Sequence, residues 1–109
     1  MSRVEFYFRV VADHPSLHGH FPGHPIVPGV LVLDHVLQAL RRFTGREMSH
    51  LQQVKFTAAL LPGEQAHVSC EVDDAKISFH VSAQRAATVV VVAQGTGTLS
   101  ATMHDGAGA

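Results

Sequence analysis

The sequence has little charge, few aromatic residues, no tryptophan and a single cysteine. Charged residues make up 16% of its 109 positions and the formal net charge is -1, which excludes the basic surface typical of nucleic-acid-binding proteins. The lone Cys70 excludes a disulfide framework within the chain and predicts a reducing, cytoplasmic location. No apolar run approaches the roughly 20 residues that cross a bilayer, and the N-terminus lacks the pattern of a signal peptide.

Apolar residues, in contrast, are plentiful at 46% of the chain. This fraction and the length predict one domain, over residues 1–103, followed by a flexible Gly/Ala-rich tail over residues 104–109. Because so little charge is available to cover the surface, we also expect part of the apolar surface to be buried in an oligomer.

The hydrophobic pattern predicts an α+β fold, in which a curved antiparallel sheet wraps around one long central helix. The helix, over residues 30–43, is apolar on nearly every side and is therefore predicted to be buried on most of its surface, and Gly45 is predicted to end it. The valine run at 89–92 predicts a central strand buried on both faces. The predicted strands are residues 4–11, 51–60, 66–72, 76–82 and 88–94.

Two further short patterns predict local backbone structure. Pro62, Gly63 and Glu64 predict a turn between two of these strands. Gly95 and Gly97 predict a bend in the last strand or a close approach of a neighbouring backbone.

The stretch from residue 18 to residue 38 holds the residues with the clearest chemical potential. Its first half is a loop stiffened by prolines, which fix their own φ and restrict the residue before them; its second half is the apolar helix. The loop contains His20 and the helix contains one acid, Asp34. A buried carboxyl group beside an imidazole held by a rigid loop is suited to general acid–base catalysis.

The run from His20 to Asp34 (His-Phe-Pro-Gly-His-Pro-Ile-Val-Pro-Gly-Val-Leu-Val-Leu-Asp) resembles the active-site signature of bacterial 3-hydroxyacyl-[acyl carrier protein] dehydratases. These enzymes form the FabA/FabZ group of the hot-dog fold. Gln38 agrees with the same pattern, and residues 54–56 and 61–64 resemble a second stretch of the family, an Arg/Lys-Phe strand that runs into a Pro-Gly-acid turn. The acid is Asp, as in the FabA branch, and the compact length resembles relatives associated with polyketide-like or aryl-polyene pathways.

The resemblance implies a hydro-lyase that converts a 3-hydroxyacyl thioester to the trans-2-enoyl thioester. It assigns His20 as the general base and Asp34 as the general acid. Because free N–H groups and the positive end of the dipole converge at the start of a helix, the Gly29 amide, alone or with that of Val30, is the candidate oxyanion donor. Burial disfavours the charged form of a carboxyl group, so a buried Asp34 is predicted to stay protonated. Residues predicted to bind or orient the substrate are Gln38, Phe21, Pro28 and Val30, although Phe21 and Pro28 could serve only packing and loop shape.

The resemblance also implies partners. The substrate would be carried on the phosphopantetheine of an acyl carrier protein or on coenzyme A, with no cofactor held by the chain. The family's active site forms across a dimer, so a homodimer is expected, without nucleic acid or membrane.

Other interpretations of these residues remain open. His18, His20 and His24 could bind zinc, although their loop spacing does not match common zinc sites. His35 is expected to pack or to contact a partner, and Gln38 could simply bond to backbone. The chain could instead be an acyl-thioesterase, or a non-catalytic subunit that pairs with an active homologue. Basic residues expected on a solvated face, or alternatively against a carrier protein, are Arg41, Arg42, Arg46 and Lys55.

Overall fold

A computed structural model describes residues 2–11 and 26–100. Its described elements are one helix and a five-stranded antiparallel sheet of strand order β1-β3-β4-β5-β2, which confirms the α+β prediction. The predicted tail over residues 104–109 lies outside the described residues. In chain order the elements are β1 (Ser2–Arg9), α1 (Gly29–Thr44), β2 (Met48–Phe56), β3 (Gln65–Asp73), β4 (Lys76–Arg85) and β5 (Thr88–Leu99).

Helix α1 begins and ends where its sequence predicts, within one residue at each end. Pro28 is the N-cap and has no side chain that can cap the first amides. At the other end Gly45 adopts a left-handed conformation with φ 72°, and its N–H donates to the carbonyl of Arg41 at 3.0 Å. A left-handed residue after the last turn is a common way to end a helix, and glycine adopts it without steric cost.

The helix is buried on one side only, so the prediction that most of its surface is buried is wrong for this chain. Val32, Val36 and Leu40 face the sheet and are almost fully buried. Val30, on the opposite side, is 75% exposed. A single five-stranded sheet covers one side of a helix, and the apolar residues on the other side have no neighbour within the described residues to cover them.

Strands β3 and β4 form the centre of the core, and buried and exposed side chains alternate along them as predicted up to Val81. Ser82, which alternation predicts on the outer face, is buried, at the point where the pairing of β4 with β5 shifts register. Val68, Cys70 and Val81 are fully buried, and each is flanked along its strand by more exposed neighbours. Burial raises the pKa of the Cys70 thiol to about 11. The thiolate is therefore scarce near neutral pH, and Cys70 is an unreactive core residue.

The valine run in β5 is only partly covered, which corrects the prediction of a strand buried on both faces. Strand β5 does lie between β4 and β2, but β2 pairs with residues 93–99 only. The run at 89–92 therefore has β4 on one side and passes the end of β2 on the other, and Val89 is 62% exposed. Val92, nearest to β2, is almost fully buried.

The predicted close approach at the two glycines of β5 is confirmed. A Cβ placed on Gly95 would lie 2.5 Å from the carbonyl oxygen of Gln53 and 2.6 Å from Cζ of Phe79. A Cβ on Gly97 would lie 2.6 Å from the carbonyl oxygen of His50. Strand β2 therefore lies closer to β5 than side chains at these two positions would allow. Strand β2 also shifts register twice opposite this segment, as strands do at a β-bulge.

The bounds of all five strands differ from those predicted, by one residue at each end of β3 and by two to five residues at one or both ends of the others, because alternation of side chains identifies a strand better than it identifies its ends. Strand β1 covers residues 2–9 rather than 4–11, and β2 covers 48–56 rather than 51–60. The residues after β2 form an irregular segment that ends in the predicted turn, where Gly63 has φ 86°. The described residues contain no helical segment with the length and apolar character that a bilayer crossing would need.

Candidate active site

Asp34 and Gln38 form a pair on the exposed side of α1. Nε2 of Gln38 donates to Oδ2 of Asp34 at 2.7 Å, one helical turn away. This is the contact that an orienting role for Gln38 requires. The prediction that Asp34 is buried is wrong for the single chain: its side chain lies on the side of the helix opposite the core and is exposed.

Aromatic side chains from β1 and α1 line the groove that contains Asp34 and Gln38. The groove has a volume of about 720 Å³. His35 stacks on Phe8 with ring centroids 4.3 Å apart and ring planes 7° apart, a contact that agrees with the predicted packing role. The ring centroids of Phe6 and Phe43 are 6.2 Å apart. Asp34 therefore lies beside apolar surface, although it faces open space.

The first turn of α1 presents amides that the helix itself does not use. The amides of Leu31 and Val32 donate to the carbonyl of Pro28 at 3.0 and 3.2 Å. Within the described part of the chain, the amides of Gly29 and Val30 donate to no acceptor. The first turn contains no acidic side chain, so the positive end of the helix dipole is available to a developing negative charge.

Phe56, at the end of β2, lies against this helix start. A Cβ on Gly29 would be 3.0 Å from Cε1 and Cζ of the Phe56 ring. Both residues line a mainly apolar cavity of about 390 Å³ that extends to Val27, Leu60 and Val92. The uncapped amides therefore adjoin apolar space that could hold part of a substrate.

The described residues contain five of the seven site residues predicted from the sequence. Pro28, Gly29 and Val30 lie at the start of α1, and Asp34 and Gln38 follow on the same side as Val30, at four-residue spacing. His20 and Phe21 lie outside the described residues, as do His18 and His24 of the possible zinc site. In the described part of the chain, no group of three or more His, Cys, Asp or Glu side chains could hold a metal ion.

Sequence reasoning missed a charged pair that fixes the turn after β2. Arg85 donates from Nε to Oε2 of Glu64 at 2.7 Å and from Nη2 to Oε1 at 2.8 Å. The Arg85 guanidinium holds the pKa of the Glu64 carboxyl below its ordinary value. The neighbours of Glu64 predict a turn, but the partners are 21 positions apart in the chain, which leaves no local signal for the pair.

The basic residues divide into two groups. Arg41 and Arg42 are exposed and line the groove that contains Asp34, and Lys55 is also exposed. The prediction that Arg46 lies on a solvated face is wrong. Its guanidinium donates to the carbonyl of Ser100 at 2.6 Å and to that of Asp74 at 2.7 Å, so it ties backbone segments together at one end of the sheet.

A family model described as "ApeI-like: ApeI dehydratase" matches residues 1–96. The chain belongs to this dehydratase family. The match includes β1, the helix, β2, β3, β4 and most of β5, and it confirms the resemblance to the FabA/FabZ group that the run from His20 to Asp34 indicates.

Curated FabZ enzymes are similar over part of their length. The 3-hydroxyacyl-[acyl-carrier-protein] dehydratases FabZ of Lawsonia intracellularis and Myxococcus xanthus are 32% and 34% identical to this chain over 81 residues each. The alignments cover 63% and 64% of this chain and 53% of each relative. The chain thus spans about half the length of the curated relatives it matches.

Solved structures confirm the hot-dog fold. An uncharacterised protein from Erwinia carotovora subsp. atroseptica superposes with a TM-score of 0.79 at 25% identity, covering 94% of this chain and 86% of that one. The dehydratase heterocomplex ApeI:P from Xenorhabdus doucetiae gives 0.75 at 23% identity, covering 89% and 86%. A hexameric acyl-CoA thioesterase gives 0.70 at 13% identity, covering 98% and 72%. The last two likenesses concern the fold alone.

Proposed function

We propose that this protein is a dehydratase that converts a 3-hydroxyacyl thioester to the trans-2-enoyl thioester. The observation that carries the proposal is the Asp34–Gln38 pair, 2.7 Å apart, on the helix whose first amides, at Gly29 and Val30, have no described acceptor. Family membership and the His20 motif supply the class of reaction.

In this mechanism the imidazole of His20 takes a proton from C2 of the acyl chain. The protonated carboxyl group of Asp34 gives its proton to the C3 hydroxyl group, which leaves as water while the C2–C3 double bond forms. The amides of Gly29 and Val30 stabilise the negative charge that develops on the thioester oxygen, an interaction worth about 3 kcal/mol at comparable sites. Transfer of the proton from His20 back to Asp34, through solvent, regenerates the site.

A second copy of the chain would complete this site. Asp34 is exposed beside apolar surface, and a general acid must be shielded from water to stay protonated. The two sheet edges also differ: β1 carries Arg3, Glu5 and Arg9, whereas Lys55 is the one charged residue of β2. Charged side chains protect an edge against pairing, so we propose that β2 pairs with β2 of a second copy.

The carrier of the acyl group is proposed to be an acyl carrier protein or coenzyme A. Both carry phosphate groups, and Arg41 and Arg42 are exposed in the groove that contains Asp34. Arginine binds phosphate oxygens through paired N–H groups. The chain itself would need no cofactor for the elimination.

Purified protein incubated with a 3-hydroxyacyl N-acetylcysteamine thioester tests the proposed reaction. Enoyl absorbance and free thiol are followed separately, and enoyl product without thiol release is expected. Thiol release without enoyl product would instead indicate a thioesterase, the activity named for the hexameric structural neighbour. Neither product from folded protein would favour a non-catalytic subunit, since the Xenorhabdus doucetiae relative occurs in a heterocomplex.

His20→Ala and Asp34→Asn are each expected to lower turnover by about 10²-fold to 10⁴-fold, the range for loss of a general acid or base. Both variants should keep the circular dichroism spectrum and the oligomeric state of the wild type. Near-normal turnover in either variant would rule out the role assigned to that residue.

Turnover of the wild-type protein should also fall as the pH drops through about 6.5, where an ordinary imidazole gains its proton.

A further inference from the structure

The Arg85–Glu64 pair is joined to more of the backbone than an isolated ion pair would be. Besides its two bonds to Glu64, Arg85 donates from Nη2 to the carbonyl of Ala59 at 2.9 Å. Oε1 of Glu64 also accepts from the amide of Leu61 at 2.9 Å. The Glu64 side chain is only 16% exposed. One guanidinium and one carboxylate thus hold three points of the segment formed by residues 57–64, here named the 57–64 turn.

The 57–64 turn also forms backbone hydrogen bonds with the chain on both sides of the sequence that carries His20. The amide of Gly63 donates to the carbonyl of Val10 at 2.7 Å, and the amide of Val27 donates to the carbonyl of Leu60 at 2.8 Å. Val10 and Val27 are both almost fully buried. Along the chain, Val10 precedes residues 12–25 and Val27 follows them, two residues before Gly29.

The turn has few other fixed points. Its own described backbone bond runs from the amide of Glu64 to the carbonyl of Leu61, at 3.1 Å. Its start is fixed on β5, where the amide of Thr57 donates to the carbonyl of Val92 at 2.9 Å. Two described side chains therefore connect the later part of the turn to the sheet. Arg9, at the end of the edge strand β1, donates from Nη1 to the carbonyl of Gly63 at 2.9 Å, and Arg85, at the end of the inner strand β4, binds both the Glu64 carboxylate and the Ala59 carbonyl.

We propose that Arg85 and Glu64 are positioning residues for the active site. By fixing the 57–64 turn, they fix Leu60 and Gly63, and through these the chain at Val10 and Val27. The position of the Gly29 amide relative to Asp34 then depends on a pair that, among the described residues, contacts neither of them. This inference rests on the proposed dehydratase function.

Arg85→Gln tests the proposal, with Arg46→Gln as the matched control. Arg46 also binds backbone carbonyls with its guanidinium, those of Ser100 and Asp74, but at a part of the sheet that does not contact the 57–64 turn. Because misplacement of about 1 Å can cost about 10²-fold in rate, kcat of Arg85→Gln is expected to fall about 10-fold to 100-fold. Arg46→Gln is expected to keep kcat within about twofold, even where Tm falls equally in both.

Amide exchange provides a readout that does not depend on catalysis. In Arg85→Gln the amide of Val27 is expected to exchange at least about tenfold faster, while the core amides of Val68 and Val81 keep their wild-type rates. Arg85→Lys keeps the charge but cannot span Glu64 and Ala59 together, so it should restore kcat only in part. The double variant Arg85→Gln/Glu64→Gln should be no slower than Arg85→Gln, because the two residues act as one unit.

Equal loss of kcat in Arg85→Gln and Arg46→Gln at matched Tm would reduce the pair to a general stabilising role and overturn the proposal. Unchanged exchange at Val27 would do the same. If the wild-type protein shows no dehydration, the proposed reaction fails, and the exchange rate at Val27 then decides whether the pair fixes this part of the chain.

Discussion

Gly29 illustrates how one residue can meet several demands at the start of a helix. It follows Pro28, which cannot cap the helix with a side chain, and its amide has no acceptor within the described residues. A Cβ at this position would lie only 3.0 Å from the Phe56 ring. A side chain here would have to displace the Phe56 ring by a few tenths of an ångström, so the neighbouring ring rather than the backbone conformation favours glycine, and its amide is left open for a ligand.

Glu64 is the residue whose ionisation is expected to affect stability most directly. Pairing with Arg85 lowers the pKa of the Glu64 carboxyl in the folded chain below its ordinary value of 4.5. A lowered folded-state pKa adds stability above the unfolded-state pKa, and this stability is lost as the pH falls through the folded-state pKa. The difference in free energy of unfolding between wild type and Glu64→Gln should therefore be full at pH 7 and shrink below about pH 4.5.

Urea unfolding at a series of pH values from 7 to 3.5 measures this difference. The Arg85→Gln background provides the control, because without the guanidinium the same substitution should produce a difference that varies much less with pH. A wild-type advantage that stays constant down to pH 3.5 would contradict the assignment of the stabilisation to an ionised pair.

At the scale of elements, the distance between β2 and β5 is set by the two glycines of β5. Because a side chain at Gly95 would overlap the backbone of β2 and the Phe79 ring, the strands can stay paired only if this position has none. The close approach also keeps Phe56, the last residue of β2, near the start of α1. The packing of two strands is thus connected to the geometry of the candidate site.

Gly95→Ala is expected to lower the free energy of unfolding by about 3 kcal/mol, at the upper end of the range for overpacked cores, since the Gln53 carbonyl cannot move without parting the strands. Thr96→Ala, on the exposed side between the two glycines, is the control and should cost less than about 1 kcal/mol. Both values come from urea unfolding at one protein concentration. Equal losses would show that the close approach has no special cost.

At the scale of the whole molecule, the exposed side of α1 and the edge strand β2, in which Lys55 is the one charged residue, both lack a covering element among the described residues. Val30 is 75% exposed on the side that carries Asp34. A dimer that pairs the β2 edges and covers this side would bury the apolar helix surface and shield Asp34 from water. Apolar helix surface left in contact with water is otherwise costly.

Val30→Glu is therefore expected to weaken the dimer at least about tenfold and to lower turnover with it. Val89→Glu is the control. It introduces the same charge at a valine that is 62% exposed and that lines a groove with Tyr7 and His67. It should leave the association of the dimer and the turnover unchanged. Sedimentation velocity over a range of micromolar concentrations measures the association. A monomeric wild type with full activity would contradict the proposed second copy.

The sequence by itself determined the order of elements and the candidate chemistry. Side-chain alternation predicted β3 and β4, Gly45 marked the end of the helix, and the run from His20 to Asp34 indicated the dehydratase family, because each depends on residues near one another in the chain. The tertiary structure alone decided that Asp34 is exposed and that the valine run extends past β2. It alone joined Arg85 to Glu64, because burial and pairing between distant residues depend on which elements meet, and local sequence patterns do not encode that.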